Sequence, residues 1–302
     1  MFNSTKYQFS GHETFPLRQL WLMKTVHHAQ ENLPFSGEEA MIKLGVGKNM
    51  VASMVYWANA CKFIDSNKNP TPLANKIFGY QSDSALDPFG ESVATAWLVH
   101  WNLATNMKDC SAFCFLFNMV NKTTFTRNEL HDDMFEFATK CSHKTSALTI
   151  KRAVEVCLRS YVPNLSCRNK DISEEFVEPL LGELGLLEAN GRDSVNMRRA
   201  SRPTLSNALF TYALLDYWNQ HSSQTATLDF NRIMHDVGSP GRVFKLDENS
   251  VASRLEVLEQ ITNGELLWTE QGGIRTVLRR GSALENPQEL MNQLLMKAYQ
   301  EE

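Results

Sequence analysis

The sequence predicts a mainly α protein with small β-hairpins: an N-terminal winged helix-turn-helix, a helical middle region and a C-terminal winged-helix-like unit. Three observations carry this. Two apolar-periodic segments flank a Gly45-Val46-Gly47 turn, the first opened by Ser36 and Glu39 in S-x-x-E spacing. Apolar runs at helical spacing then fill residues 91–215. Near the C-terminus a capped helix leads into two strand-like runs split by Gln271-Gly272-Gly273. For 302 residues the natural division is 1–90, 91–224 and 225–302.

Taken in order, Pro16 opens a first helix carrying Leu17, Leu20, Trp21 and Met23. Residues 37–43 form a second helix. A third starts near Asn49 with Val51, Met54, Val55, Ala58 and Cys61 on one stripe. The helix-turn-helix thus spans residues 44–64, and the polar loop 64–71 is its expected wing. A plain helical hairpin in a larger α domain is the alternative. Further helices are expected at 92–103, 112–120, 150–161 and 177–187, and a second capping box, Thr126 with Glu129, opens one running to about 140. Residues 242–246 read as a short strand, and Asp247 as the cap of a helix bearing Val251, Leu255 and Leu258. Residues 266–269 and 274–280 read as a hairpin.

The net charge of −4 excludes a uniformly positive coat but leaves room for a local basic face. Arg192, Arg198, Arg199 and Arg202 form one basic cluster, and Arg275, Arg279 and Arg280 another. The densest apolar stretch, 111–120, is short of the ~20 residues that cross a bilayer. The N-terminus lacks a basic region followed by an apolar run, so a cytoplasmic protein without membrane association is expected. None of the six cysteines forms a C-x-x-C pair, and most lie among apolar neighbours, as reduced structural thiols do. Cys141 and His143 alone make a weak metal signal.

Residues 45–49 resemble a phosphate loop but fail as one. Ile42 stands where the first glycine belongs, Asn49 replaces the metal-binding hydroxyl, and a helix rather than a strand precedes. Lys48 and Asn49 read better as the start of a recognition helix, with Ser53 one turn on; Lys meets phosphate or guanine, and Asn pairs with adenine. Lys68 in the polar loop, and Arg242, Lys245, Arg275 and Arg279 near the C-terminus, are further candidate DNA-binding cations. Arg275 and Arg279 alternate onto one strand face, which equally suits a solvated edge strand. His12, Glu13 and Arg18 concentrate proton-transfer, metal-ligating and phosphate-holding groups before a helix start; helix capping by Glu13 and Thr14 is the bland alternative. Asp132 and Glu136 share a helix face beside His131 and Asp133, a candidate pair for a divalent cation, although acids in a first helical turn more often serve the helix dipole. No nuclease, zinc-finger or hydrolase signature is present.

The motif at 9–18 (FSGHETFPLR) and that at 44–51 (LGVGKNMV) resemble those of a bacterial family long labelled as a domain of unknown function. Matches continue at 86–89, 97–101, 159–163, 179–186 and 238–249, so the resemblance covers nearly the whole chain. The family includes the SspB-type component of single-strand DNA phosphorothioation systems in antiphage defence. The resemblance implies DNA binding and nicking of one strand with a divalent metal, magnesium; it carries over no catalytic set, and the residues themselves make His12, Glu13 and Arg18 the catalytic candidates, with Glu13 also the candidate metal ligand. It implies a cysteine desulfurase, an ATPase and an ATP-pyrophosphatase-like enzyme as partners. A noncatalytic adaptor that recruits those enzymes is the alternative. Ala153 departs from the family pattern, where an Asp is expected.

Overall fold

The computed structural model describes residues 6–79, 84–141, 144–162 and 179–301. Contacts group them into two units, Met1–Arg198 and Arg199–Glu302. The boundaries expected near 90 and 224 differ from this grouping. The helix at Asn207–Ser222 belongs with the C-terminal helix, on which it packs.

The first unit opens with α1 (Gln19–Gln30), three residues after Pro16, because Arg18 is extended at the N-cap. Next come α2 (Gly37–Leu44) and α3 (Lys48–Ala60). Gly45 takes the left-handed conformation that ends α2. The Ser36 capping box does not form: Gly37 has φ +87, which turns the first-turn amides away from the Ser36 hydroxyl. The expected wing is reduced to one antiparallel bridge, Ile64 with Pro70, before α4 (Pro72–Phe78) begins. α1 packs on α2, α3 and α4. α5 (Val93–Thr105) and α6 (Ser111–Met119) are buried nearly all round, as their unbroken apolar sequences require.

After α6 come β1 (Thr124–Thr126), α7 (Arg127–Lys140) and α8 (Ala147–Arg159). The Thr126–Glu129 capping box forms as expected. The helix expected at 177–187 is instead a single 3-10 turn, Gly182–Leu184 (177 and 178 lie outside the described residues). Pro179, Gly182 and Gly185 in seven residues interrupt it. β2 (Glu188–Asn190) and β3 (Ser194–Asn196) follow as a hairpin, and β1 adds to β3, giving the order β1-β3-β2 with Phe125 opposite Val195.

The second unit repeats that order. α9 (Asn207–Ser222) precedes β4 (Thr227–Asp229) and α10 (Phe230–His235). α11 (Pro240–Val243) replaces the strand expected at 242–246, because Ser239 caps it and Pro240 suits its first turn. Leu246 makes only a single parallel bridge, with Ala200. α12 (Glu248–Glu256), capped by Asp247 as expected, and α13 (Leu258–Ile261) lead to β5 (Leu266–Gln271) and β6 (Ile274–Arg279). The sheet order is β4-β6-β5, and α14 (Ser282–Glu285) and α15 (Pro287–Ala298) close the unit.

Cys61, Cys110, Cys114 and Cys157 are free and buried; Cys141 is free and half-buried. His143 and Cys167 lie outside the described residues. Among the described residues, no helix is long and apolar enough to cross a membrane.

Candidate functional site

The motif 11–15 is a strained loop strapped over α3. Gly11, Glu13 and Thr14 take φ of +115, +47 and +67. Non-glycine residues in that region cost on the order of 1 kcal/mol each and persist only where neighbours hold them. The Ser53 hydroxyl donates to the His12 carbonyl (2.9 Å), the Phe15 amide donates to the same carbonyl (2.8 Å), and the Trp57 indole donates to the Phe15 carbonyl (3.2 Å). Ser53 is fully buried in this role. That takes it out of reach of a duplex and corrects its expected place beside Asn49.

His12 lies under the loop, 6% exposed, its ring stacked on Trp57. Its Nδ1 accepts from the Thr14 amide (3.2 Å), so the neutral ring carries its proton on Nε2. Nε2 has no hydrogen-bond partner among the described residues. Burial pulls the ring's pKa down to about 4. A buried ring whose one lone pair is already used is poorly placed to act as a general base. Glu13 is exposed, whereas Arg18 is half-buried and lies over the Trp21 ring, 5.1 Å from its centroid. The three residues that the sequence groups together therefore face different surroundings.

The His12 shift has a measurable consequence. An unfolded histidine takes up its proton near pH 6.5, whereas the folded one waits until about 4. Between those values the unfolded chain holds more protons, so stability falls as pH falls, by about 3 kcal/mol in total. Thermal melts from pH 7 to 4 should show this loss, and His12→Gln should flatten it. Equal slopes for the two proteins would refute the assignment.

Lys48 and Asn49 are exposed at the first turn of α3, and Lys68 is exposed in the polar loop, with its ammonium 5.9 Å from the Phe35 ring. The C-terminal cations differ. Arg279 is 1% exposed; its guanidinium donates to the carbonyls of Ser222, Ser223 and Thr225 and to Asn219 Oδ1, capping α9. It cannot reach a phosphate. Arg275 lies 3.6 Å over the Phe230 ring and pairs with Glu248 at 2.6 Å. Lys245 is 6% exposed, and Arg242 is half-buried.

One basic face lies outside the motifs that the sequence singles out. α8 buries Ile150, Val154, Cys157 and Leu158 and turns Leu148, Lys151 and Arg152 to solvent. Lys144 is exposed just before the helix, and Arg159 is half-buried at its end. Its acid, Glu155, is bound by Arg127 at 3.1 Å. Amphipathic spacing is the sequence signal for this face: the apolar half marks the helix, and the polar half marks the cations. Ala153 is buried on the inner side, so the Asp expected there would not have faced solvent.

A family model described as protein of unknown function (DUF4007) matches residues 9–299. Two solved structures are similar. A crystal structure of SspB has 25% identity over 96% of this chain and 88% of that chain, with a TM-score of 0.83. A magnesium ion-bound SspB structure has the same identity and coverage and a TM-score of 0.82. No curated protein matches the sequence.

Among the described residues, no three His, Cys, Asp or Glu side chains gather as a metal centre. Asp132, Asp133 and Glu136 are each paired, with His131, Lys122 and Lys140. Glu13 offers one carboxylate, which does not amount to a magnesium site built by the protein alone. The match over 9–299 nonetheless defines the lineage: this chain belongs to the DUF4007 family of proteins of unknown function, and its fold is that of SspB.

Proposed function

We propose that this chain is the DNA-binding component of an SspB-type phosphorothioation and antiphage defence system. The observation that carries the reading is the unit α6-β1-α7-α8-β2-β3. Among the described residues a helix, a strand, two α-helices, a 3-10 turn and a hairpin follow in that order, with the first strand on the last, which supports a winged-helix reading of this unit. The last α-helix described before the hairpin, α8, offers Lys151 and Arg152 to solvent. The helix-turn-helix tip at Lys48 and Asn49, with Lys68, supplies a second basic edge in the same unit of the chain. Phosphate neutralisation by such cations dominates affinity and makes it salt-dependent.

Nicking is the finer reading, with the cysteine desulfurase, the ATPase and the ATP-pyrophosphatase-like enzyme as partners in a cytoplasmic system. The strained Glu13–Thr14 backbone favours it, since strain concentrates at functional loops. The magnesium-bound SspB relative agrees with a metal requirement. Glu13 would then be the protein ligand, and DNA phosphate and water would complete the shell.

Pure protein mixed with supercoiled plasmid tests both. Binding should weaken steeply with salt, and Lys48→Ala should lower it severalfold. Relaxation in magnesium that is lost in Glu13→Ala supports nicking. Plasmid bound but left closed under every metal supports the adaptor reading. Absent or salt-indifferent binding removes both.

A further inference from the structure

Residues 6–10 and the loop that leads into α8 face each other across a cleft of about 460 Å³. Lys6, Tyr7 and Ser10 line one wall, and Lys144, Ser146 and Thr149 line the other. Both walls are fixed. The Gln8 amide donates to Ser111 Oγ (2.7 Å), and the Ser111 amide donates to the Gln8 carbonyl (3.1 Å), which pins the first wall to α6. The Tyr7 ring packs edge-on against Phe137 of α7, with 5.5 Å between centroids. On the second wall, Ser146 Oγ accepts from the Thr149 amide (3.1 Å) and lies 2.9 Å from Thr149 Oγ1.

The volume falls in the range of small-molecule sites, roughly 300–1,000 Å³. None of the described residues that line the cleft is acidic, which argues against a metal cation. Ammonium groups, hydroxyls and an aromatic ring together suit a ligand that has a phosphate, a sugar and a flat base. One nucleotide meets that description.

The cleft continues onto the exposed face of α8. At about 3.6 residues per turn, Thr149, Arg152, Leu148 and Lys151 follow one another round the helix. Thr149 lines the cleft, and the other three are exposed. Leu148 is 55% exposed, an apolar side chain set between two cations and left uncovered by the fold. Cations on either side of an exposed leucine can grip phosphates while the leucine enters between base steps. A cleft of nucleotide size beside such a wedge is what extrusion of a base requires.

We propose that this cleft receives one nucleotide extruded from a duplex bound on α8, and that Leu148 fills the place it leaves in the stack. Lys6 and Lys144 hold the phosphates of the extruded nucleotide, and Tyr7 supplies an aromatic wall for its base. Extrusion here rests on the reading of α8 as a duplex-binding helix.

The full-length chain is titrated with two duplexes of equal length, one fully paired and one with a single mismatch. A mismatched base costs less to extrude, so wild type should bind the mismatched duplex about tenfold more tightly. Ser10→Trp and Lys144→Trp fill the cleft from opposite walls at exposed positions. Each should melt near wild type and bind the two duplexes alike. Leu148→Ala should weaken both duplexes severalfold. Equal binding of the two duplexes by wild type, with affinity still lost on reversing Lys151 and Arg152, overturns the cleft and leaves α8 standing. A mismatch preference that persists in both filled variants belongs to a duplex that bends easily, and it also overturns the cleft. Duplex affinity that is indifferent to reversing Lys151 and Arg152 overturns the α8 reading, and extrusion falls with it.

Discussion

Gly11→Ala should destabilise the protein by about 3 kcal/mol or more and lower its melting temperature by about 6–12 °C. Two penalties coincide. At φ +115 an L-residue has no comfortable backbone state. A Cβ placed there would stand 2.6 Å from Tyr56 Cδ2 and 3.0 Å from Tyr56 Cε2 and from Gln8 Nε2. The Tyr56 ring cannot simply swing away, because it packs edge-on against His12 and Trp57 at 5.9 and 5.0 Å. Gly11→Ala combined with Tyr56→Ala should remove the steric part of the interaction but keep the backbone part, giving less than the sum of the two single losses. If Gly11→Ala melts with wild type, the account of the strapped loop is wrong.

Reversing the charge at both Lys151 and Arg152 of α8 to Glu should reduce duplex affinity at low salt about a hundredfold. The slope of log affinity against log salt should shrink by about 2, roughly 0.9 for each phosphate no longer neutralised. Both residues are exposed, so the melting temperature should not move. Lys24→Glu on exposed α1 surface is the matched control and should have little effect. Equal loss in the control would reduce the effect to overall charge. No loss in the double variant would remove α8 from the interface.

Local chemistry predicted much of the fold, and it failed where distant segments meet. Thr126 and Glu129 form the capping box their spacing predicts, but Ser36 and Glu39, in the same spacing, do not. The difference is Gly37, whose positive φ a motif cannot reveal. Asn49 and Ser53 share a helix face by spacing, yet a loop 41 residues upstream covers Ser53. Arg279 reads as a surface strand cation until its contacts with the end of α9, more than 50 residues away, are known. The basic half of α8 was visible in Lys151 and Arg152. Its meaning depends on the β1-β3 pairing across about 70 residues, which periodicity does not encode.

The buried cysteines have a chemical consequence for the proposed role in a phosphorothioation system. Accepting sulfane sulfur requires a thiolate that a donor can approach. Cys61, Cys110, Cys114 and Cys157 meet neither condition: burial pushes Cys110 up to about 12 and the other three well above the ordinary thiol range. These four thiols stay protonated and closed to persulfide exchange and to alkylating probes while the chain is folded. They can label only as it opens, so their reactivity times the unfolding of the helical core and carries no sulfur toward DNA.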